Sequence, residues 1–190
     1  MKKRFLFLIA LFASIINVIQ AQEKFYTKTG KIFFKCTKSP LEKIEAVNKS
    51  SICVLDTKTG NMEFAVLMKG FEFEKALMQE HFNENYVESD KFPKSDFKGQ
   101  IVNNSEINYS KDGTYTAKVK GKLQMHGESK DVETSGAVII KEGKIFTNAL
   151  FTVLLSDYKI SIPSLASDKI SNTVNITIDC SLELLKNQNQ

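Results

Sequence analysis

The feature that most constrains this chain is an alternation of apolar and polar residues with a period of two, repeated along most of its length. In the stretch Tyr115 to Met125 every second residue is small or apolar and every intervening one is polar. That pattern describes a strand with one dry and one wet face. The same holds for Phe97, Gly99 and Ile101 against Asp96, Lys98 and Gln100, and for Ile176, Ile178, Cys180, Leu182 and Leu184 against Thr177, Asp179, Ser181 and Glu183. Weaker copies run through Ile32 to Cys36, Met62 to Gly70 and Val132 to Ile140, and Ile52 to Leu55 with Lys144 to Leu155 complete a set of eight strands. Turn-forming clusters at 56–60, 111–113, 126–128 and 142–143 separate them, so sequential strands are expected to pair antiparallel. Helical spacing is confined to two short stretches. Pro40 to Val47 has Ser39 as its cap and Pro40 in its first turn, and Glu74 to Asn83 places Leu77, Met78, His81 and Phe82 on one face.

Eight antiparallel strands with one dry face each stack as a sandwich or close into a barrel, and closure removes the exposed edges that invite aggregation. Gly70, Gly99, Gly121 and Gly136 all fall on the dry parity of their strands. They are either corners that let the sheet coil or gaps that leave a lumen, and an eight-stranded barrel has the size at which both are compatible. On the lumen reading, leucine at Gly121 or Gly136 would fill the space and leave the fold intact. The inward positions of these strands carry no Lys, Arg, Asp or Glu, so a cavity there would be apolar.

The N-terminus reads as a secretory signal, with Lys2, Lys3 and Arg4 before the apolar run Phe5 to Val18 and a small residue, Ala21, at the expected cut. Ser14 and Asn17 interrupt the run, which falls short of the ~20 apolar residues that span a bilayer. The expected division is a signal peptide over 1–21 and one domain over 22–190, periplasmic or secreted, without stable membrane insertion. The full chain carries 26 basic and 22 acidic residues. Without the three basic residues of the signal the excess falls to one positive charge, which argues against a nucleic-acid binder.

The chemistry-bearing residues are few. Two histidines occur without a metal-type spacing, and no cofactor motif is present. His126 reads as a turn residue satisfied by local hydrogen bonds. His81 reads as packed on the apolar face of its helix, with contact to a ligand head group as the minor alternative. Ser156 and Asp157 supply two triad residue types without a nucleophile elbow. Of the three cysteines, Cys36 and Cys180 share the dry parity of the first and last strands, which are neighbours in a closed barrel. They could bridge there, or remain buried thiols, with Cys53 free in either case.

Several stretches resemble one family. The run Gly121-Lys122-Leu123-Gln124-Met125-His126-Gly127-Glu128-Ser129-Lys130-Asp131-Val132 resembles the G-x-L-x-I-H-G-V-T-K-x-V hairpin of the YceI-like proteins. Phe92-Pro93-Lys94-Ser95-Asp96-Phe97 is similar to their F-P-x-x-x-F entry to a strand, and the runs from Phe71 to Phe82 and from Ser156 to Ile160, with Pro163, are similar to the family's short secreted branch. The resemblance implies an all-β, eight-stranded antiparallel lipocalin-like barrel with one or two short helices, holding a polyisoprenoid or similar long-chain amphiphile in its lumen.

The expected function is therefore that of a binding module rather than an enzyme, working without a cofactor. The shared parity of Phe64, Val66, Met68, Phe97, Ile101, Val119, Ile176 and Ile178 nominates them as lumen residues, and Leu77, Met78 and Phe82 as an end cap. A lipid-modifying enzyme and a ligand-free structural or stress-response envelope protein are the alternatives.

Overall fold

The computed structural model describes residues 24–38 and 43–186. Nine strands form one antiparallel sheet: β1 (Lys24–Thr37), β2 (Glu45–Asp56), β3 (Asn61–Leu67), the two-residue β4 (Phe71–Glu72), β5 (Lys94–Ile101), β6 (Gly113–Met125), β7 (Glu128–Lys141), β8 (Lys144–Leu154) and β9 (Ile170–Leu184). The eight longer ones run in the order β1-β9-β8-β7-β6-β5-β3-β2, and β2 pairs back onto β1, so the sheet closes into a barrel. β4 adds a short rung to β2 through Asn48 and Phe71. The eightfold reading and the antiparallel pairing both hold.

Turn chemistry fixes the registers of the central meander. His126 and Gly127, with φ of 51° and 78°, link β6 to β7, and Glu142 and Gly143, with φ of 51° and 73°, link β7 to β8. Two consecutive left-handed residues make the tight turn whose twist matches that of the flanking strands. From the first turn β6 and β7 pair without interruption from Met125–Glu128 to Gly113–Ile140.

The barrel is filled at one end only. Leu55, Ile101, Val138, Ile145 and Leu182 form a sealed cluster with Ile107 where β1 begins and β2 ends. Each such side chain contributes about 1.5–3 kcal/mol on burial. Toward the other end Ile32, Val66, Met68, Phe71, Val153 and Val174 form a second cluster that lines the wall of a cavity, under a cap made by helix α1 (Ala76–His81) and the π-helical turn Phe82–Tyr86.

Two expectations about the elements need correction. No helix forms over 45–47, because Glu45 already pairs with Lys35 and Ala46 with Phe34 in the β1–β2 ladder, while 39–42 lie outside the described residues. The expected signal peptide over 1–21 also lies outside them. The third strand stops at Leu67, where the buried Asn48 Nδ2 donates to the Leu67 carbonyl and a 3₁₀ turn, Met68–Gly70, carries the chain away.

The Cys36–Cys180 bridge does not exist. An antiparallel ladder puts residues level only where the register matches, and β1 pairs Ile32 with Ile178 and Lys35 with Asn175. Cys36 lies between that rung and the next, Thr37–Ile170, in the cluster near the capped end, whereas Cys180 belongs to the sealed cluster. All three cysteines are free and buried. Cys180 instead meets Cys53, whose S–H donates to it, and that bond together with burial holds the Cys53 thiol far above its ordinary range.

The inward glycines also behave differently from the lumen reading. Gly99 and Gly121 face each other across β5–β6, with the Phe97 ring folded over both. They are sites of close backbone approach, and neither lines the cavity. Gly136 does line it, yet a Cβ there would run into the Asn148 carbonyl oxygen across the β7–β8 rung. Leucine at Gly121 or Gly136 is therefore incompatible with the wall itself.

Candidate functional site

Above the sealed cluster the barrel encloses a cavity of about 580 Å³, within the range of sites that enclose one small ligand. Its walls are built by the inward parity of seven strands: Phe34 from β1, Phe64 and Val66 from β3, Phe97 from β5, Val119 and Leu123 from β6, Val132 from β7, Phe151 and Val153 from β8, and Val174, Ile176 and Ile178 from β9. Among the described residues no Asp or Glu lines it. The few polar groups on its wall are placed by the ladder. The Ser95 hydroxyl donates to the Gln124 carbonyl at 2.8 Å, and Thr147 sits opposite Cys180 across β8–β9. Cys36 is also on the wall, and burial pushes its thiol up to about 12, so it holds no thiolate for nucleophilic chemistry.

The capped end is organised by aromatic packing. Phe82 stacks on Phe34 with centroids 5.6 Å apart and meets Phe71 at 5.6 Å and Phe73 at 5.1 Å. Such ring pairs contribute about 0.5–1.5 kcal/mol beyond their burial. The remainder of the rim is more open. Leu77 is 60% exposed and Leu165 is 92% exposed, though both border the cavity, as do Lys75, His81 and Lys169. His81 is thus an exposed rim residue rather than a packed one, because the short helix turns Met78 and Phe82 toward the barrel and leaves His81 outside.

Ten of the eleven residues nominated from sequence border this cavity: Phe64, Val66, Met68, Phe97, Val119, Ile176 and Ile178 on the wall, and Leu77, Met78 and Phe82 at the rim. Ile101 does not. It points inward as its parity requires, but only 1% of it is exposed because it is locked in the sealed cluster below. Parity separates inside from outside and says nothing of depth along the barrel. Sequence reasoning missed Phe151 and Val153, whose parity within Lys144 to Leu155 was readable, and Ile160 and Leu165, which lie in irregular chain with no period to read.

The catalytic alternatives find no assembled machinery in the described residues. Ser156 accepts from Asn172 Nδ2 at 3.1 Å, and no histidine approaches it. His126 Nδ1 donates to the Tyr158 carbonyl at 2.8 Å, and its Nε2 is 2.9 Å from Glu88 Oε2. Its ring lies 4.5 Å from that of Phe92. Both nitrogens are engaged in tying the β6–β7 turn to the segment behind the cap and to the turn after β8. His126 is a turn residue, as expected, but its bonds are long-range rather than local. Glu128 beside it pairs with Lys159 at 2.6 Å, and that ammonium holds its carboxyl below the usual range.

Replacing Phe82 by alanine removes the ring that joins the cap to the wall. The expected result is faster ligand release by about tenfold with a loss of about 3 kcal/mol in stability. Stopped-flow displacement and thermal unfolding of the same variant check the two effects, and a large stability loss with unchanged release would make the segment a structural plug.

A family model for YceI-like domains matches residues 24–182. Comparison with curated protein sequences finds no match. Among solved structures, a polyisoprenoid-binding domain from Saccharophagus degradans implicated in plant cell wall breakdown superposes with a TM-score of 0.75 at 13% identity, covering 86% of this chain and 99% of that one. BcnA of Burkholderia cenocepacia gives 0.65 at 13% identity over 81% and 96%. A variant of the Campylobacter jejuni YceI protein gives 0.52 at 19% identity over 72% and 81%.

Proposed function

We propose, from the premise that this chain belongs to the YceI-like family, that it is a lipid-binding module that holds one long-chain amphiphile, such as a polyisoprenoid, in its barrel. The observation that carries this reading is the cavity of about 580 Å³ with an apolar wall and, among the described residues, no carboxylate. A polar solute entering it would lose its hydration without compensation, whereas a hydrocarbon chain gains about 0.8 kcal/mol for each methylene buried. A dozen methylenes then offset an association cost of order 4–15 kcal/mol. The head group would stay at the rim, where the Lys75 ammonium favours an anionic or strongly polar group. The solved domain from Saccharophagus degradans is described as polyisoprenoid-binding, which supports the same ligand class here. The N-terminal sequence supports a periplasmic or secreted site of action.

The size of the cavity counts against a filled, ligand-free barrel, and the engaged ring nitrogens of His126 and the raised thiol of Cys36 count against an enzyme. Titration with a fluorescent long-chain alcohol tests the reading. Val119→Phe adds bulk on the wall at a half-buried position, so affinity is expected to fall by about tenfold or more while the unfolding temperature changes little. Equal binding by both proteins would mean that the probe sits elsewhere.

A further inference from the structure

The barrel wall is not continuous. β7 and β8 pair from Lys141–Lys144 only as far as Gly136–Ala149. Both strands run on toward the capped end, β7 back to Glu128 and β8 on to Leu154, each still paired with its other neighbour. They no longer pair with each other. Within this parting the Thr134 hydroxyl donates to the Leu150 carbonyl at 3.3 Å, a side chain standing in for a missing ladder bond. At the capped end the gap is closed again by the Glu128–Lys159 ion pair and the bond from His126 to Tyr158. The result is a window with fastened ends.

Backbone groups in a closed sheet normally complete their ladder, and an unpaired edge is a feature that proteins keep for a reason. Here the cavity reaches the window from inside. Val132, Thr134, Phe151 and Val153 border both, and Asn148, exposed on the outer surface, also borders the cavity. On the outer face β8 presents Leu150 at 64% exposure and Leu154 at 40%, on a parity that a barrel strand would give to polar residues.

We propose that the parting of β7 and β8 is a side portal, through which the distal end of a ligand chain longer than the cavity leaves the barrel and lies across Leu150 and Leu154. The inference rests on the lipid-binding reading and deepens it. It assigns the rim at α1 to the head group and the window to the tail, and it makes chain length, rather than head group alone, a determinant of binding.

Photolabelling of the intact protein tests it with two probes, dodecanol and solanesol, each carrying a diazirine at the tail end. The dodecanol label is expected on wall residues such as Phe97, Val119 and Ile176, and the solanesol label on Leu150, Thr152 and Leu154. Solanesol label confined to the cavity, or appearing on Leu77 and Met78, would overturn the portal while leaving lipid binding in place. Absence of label from both probes would instead remove the reading on which the portal rests. As a second measurement, Leu150→Glu at its exposed position is expected to weaken solanesol binding by about tenfold and leave dodecanol binding unchanged. Equal weakening of both probes would contradict the portal.

Discussion

Gly121→Leu is expected to leave the chain unable to form its barrel. A Cβ at this position would stand 2.5 Å from both the Gly99 Cα and the Lys98 carbonyl oxygen, and 2.6 Å from Cζ of Phe97. The ring can turn away, but the first two atoms are backbone of the paired strand and cannot retreat without opening the β5–β6 ladder. The reciprocal position is as tight, with 2.5 Å from a Cβ at Gly99 to the Lys120 carbonyl oxygen. Overpacking typically costs about 1–3 kcal/mol where side chains can adjust. Here the adjustment falls on backbone, so Gly121→Ala is expected at the upper end, about 3 kcal/mol, and leucine beyond what a domain of marginal stability tolerates. Urea unfolding followed by far-ultraviolet dichroism measures both. A folded Gly121→Leu variant of normal stability would mean that the strands do not approach as described.

The second large effect is expected at His126. Its ring supplies the tie from the β6–β7 turn to Tyr158 and Glu88 and packs on Phe92. Losing a hydrogen bond to a charged group, a second to a buried carbonyl and the ring contact is expected to cost about 3–4 kcal/mol. Asparagine is the informative substitute, because it accepts the left-handed backbone of the turn but is too short to reach both partners. His126→Asn is therefore expected to unfold at a temperature almost as low as His126→Ala. Stability close to that of the parent would assign the role of His126 to the turn alone. The Glu128–Lys159 pair joins an exposed ammonium to a half-buried carboxyl near the surface and adds little to stability. Because the Glu128 carboxyl is held below its ordinary range, what the pair adds is present above the ordinary carboxylate range and is lost as pH falls through the lowered value.

Much of this molecule was readable as sequence because a barrel is specified by parity, and parity is written in alternate residues. The strand set, the hairpin turns at His126–Gly127 and Glu142–Gly143, and the inward placing of Phe97, Val119 and Ile176 all follow from it. What parity omits is height. Ile101 and Ile176 share the inward parity of their strands, yet one is sealed in the plug and the other borders the cavity toward the capped end. The same omission left a Cys36–Cys180 bridge open beside the buried-thiol reading, since both residues face inward but at different levels. Glycine parity misled for another reason. A missing side chain reads as empty space, while in the fold it is filled by an opposing backbone or by a ring such as Phe97. The window between β7 and β8 left no sequence signal, because each strand keeps its alternation through the parting and only the pairing fails.

The central claim is that the barrel holds a long-chain amphiphile, and native mass spectrometry of the protein purified from its own host without detergent tests it most directly. The account predicts a population heavier than the bare chain by the mass of one long-chain lipid, which collisional activation strips and which solanesol replaces when added in excess. A bare chain that also takes up no solanesol would contradict it.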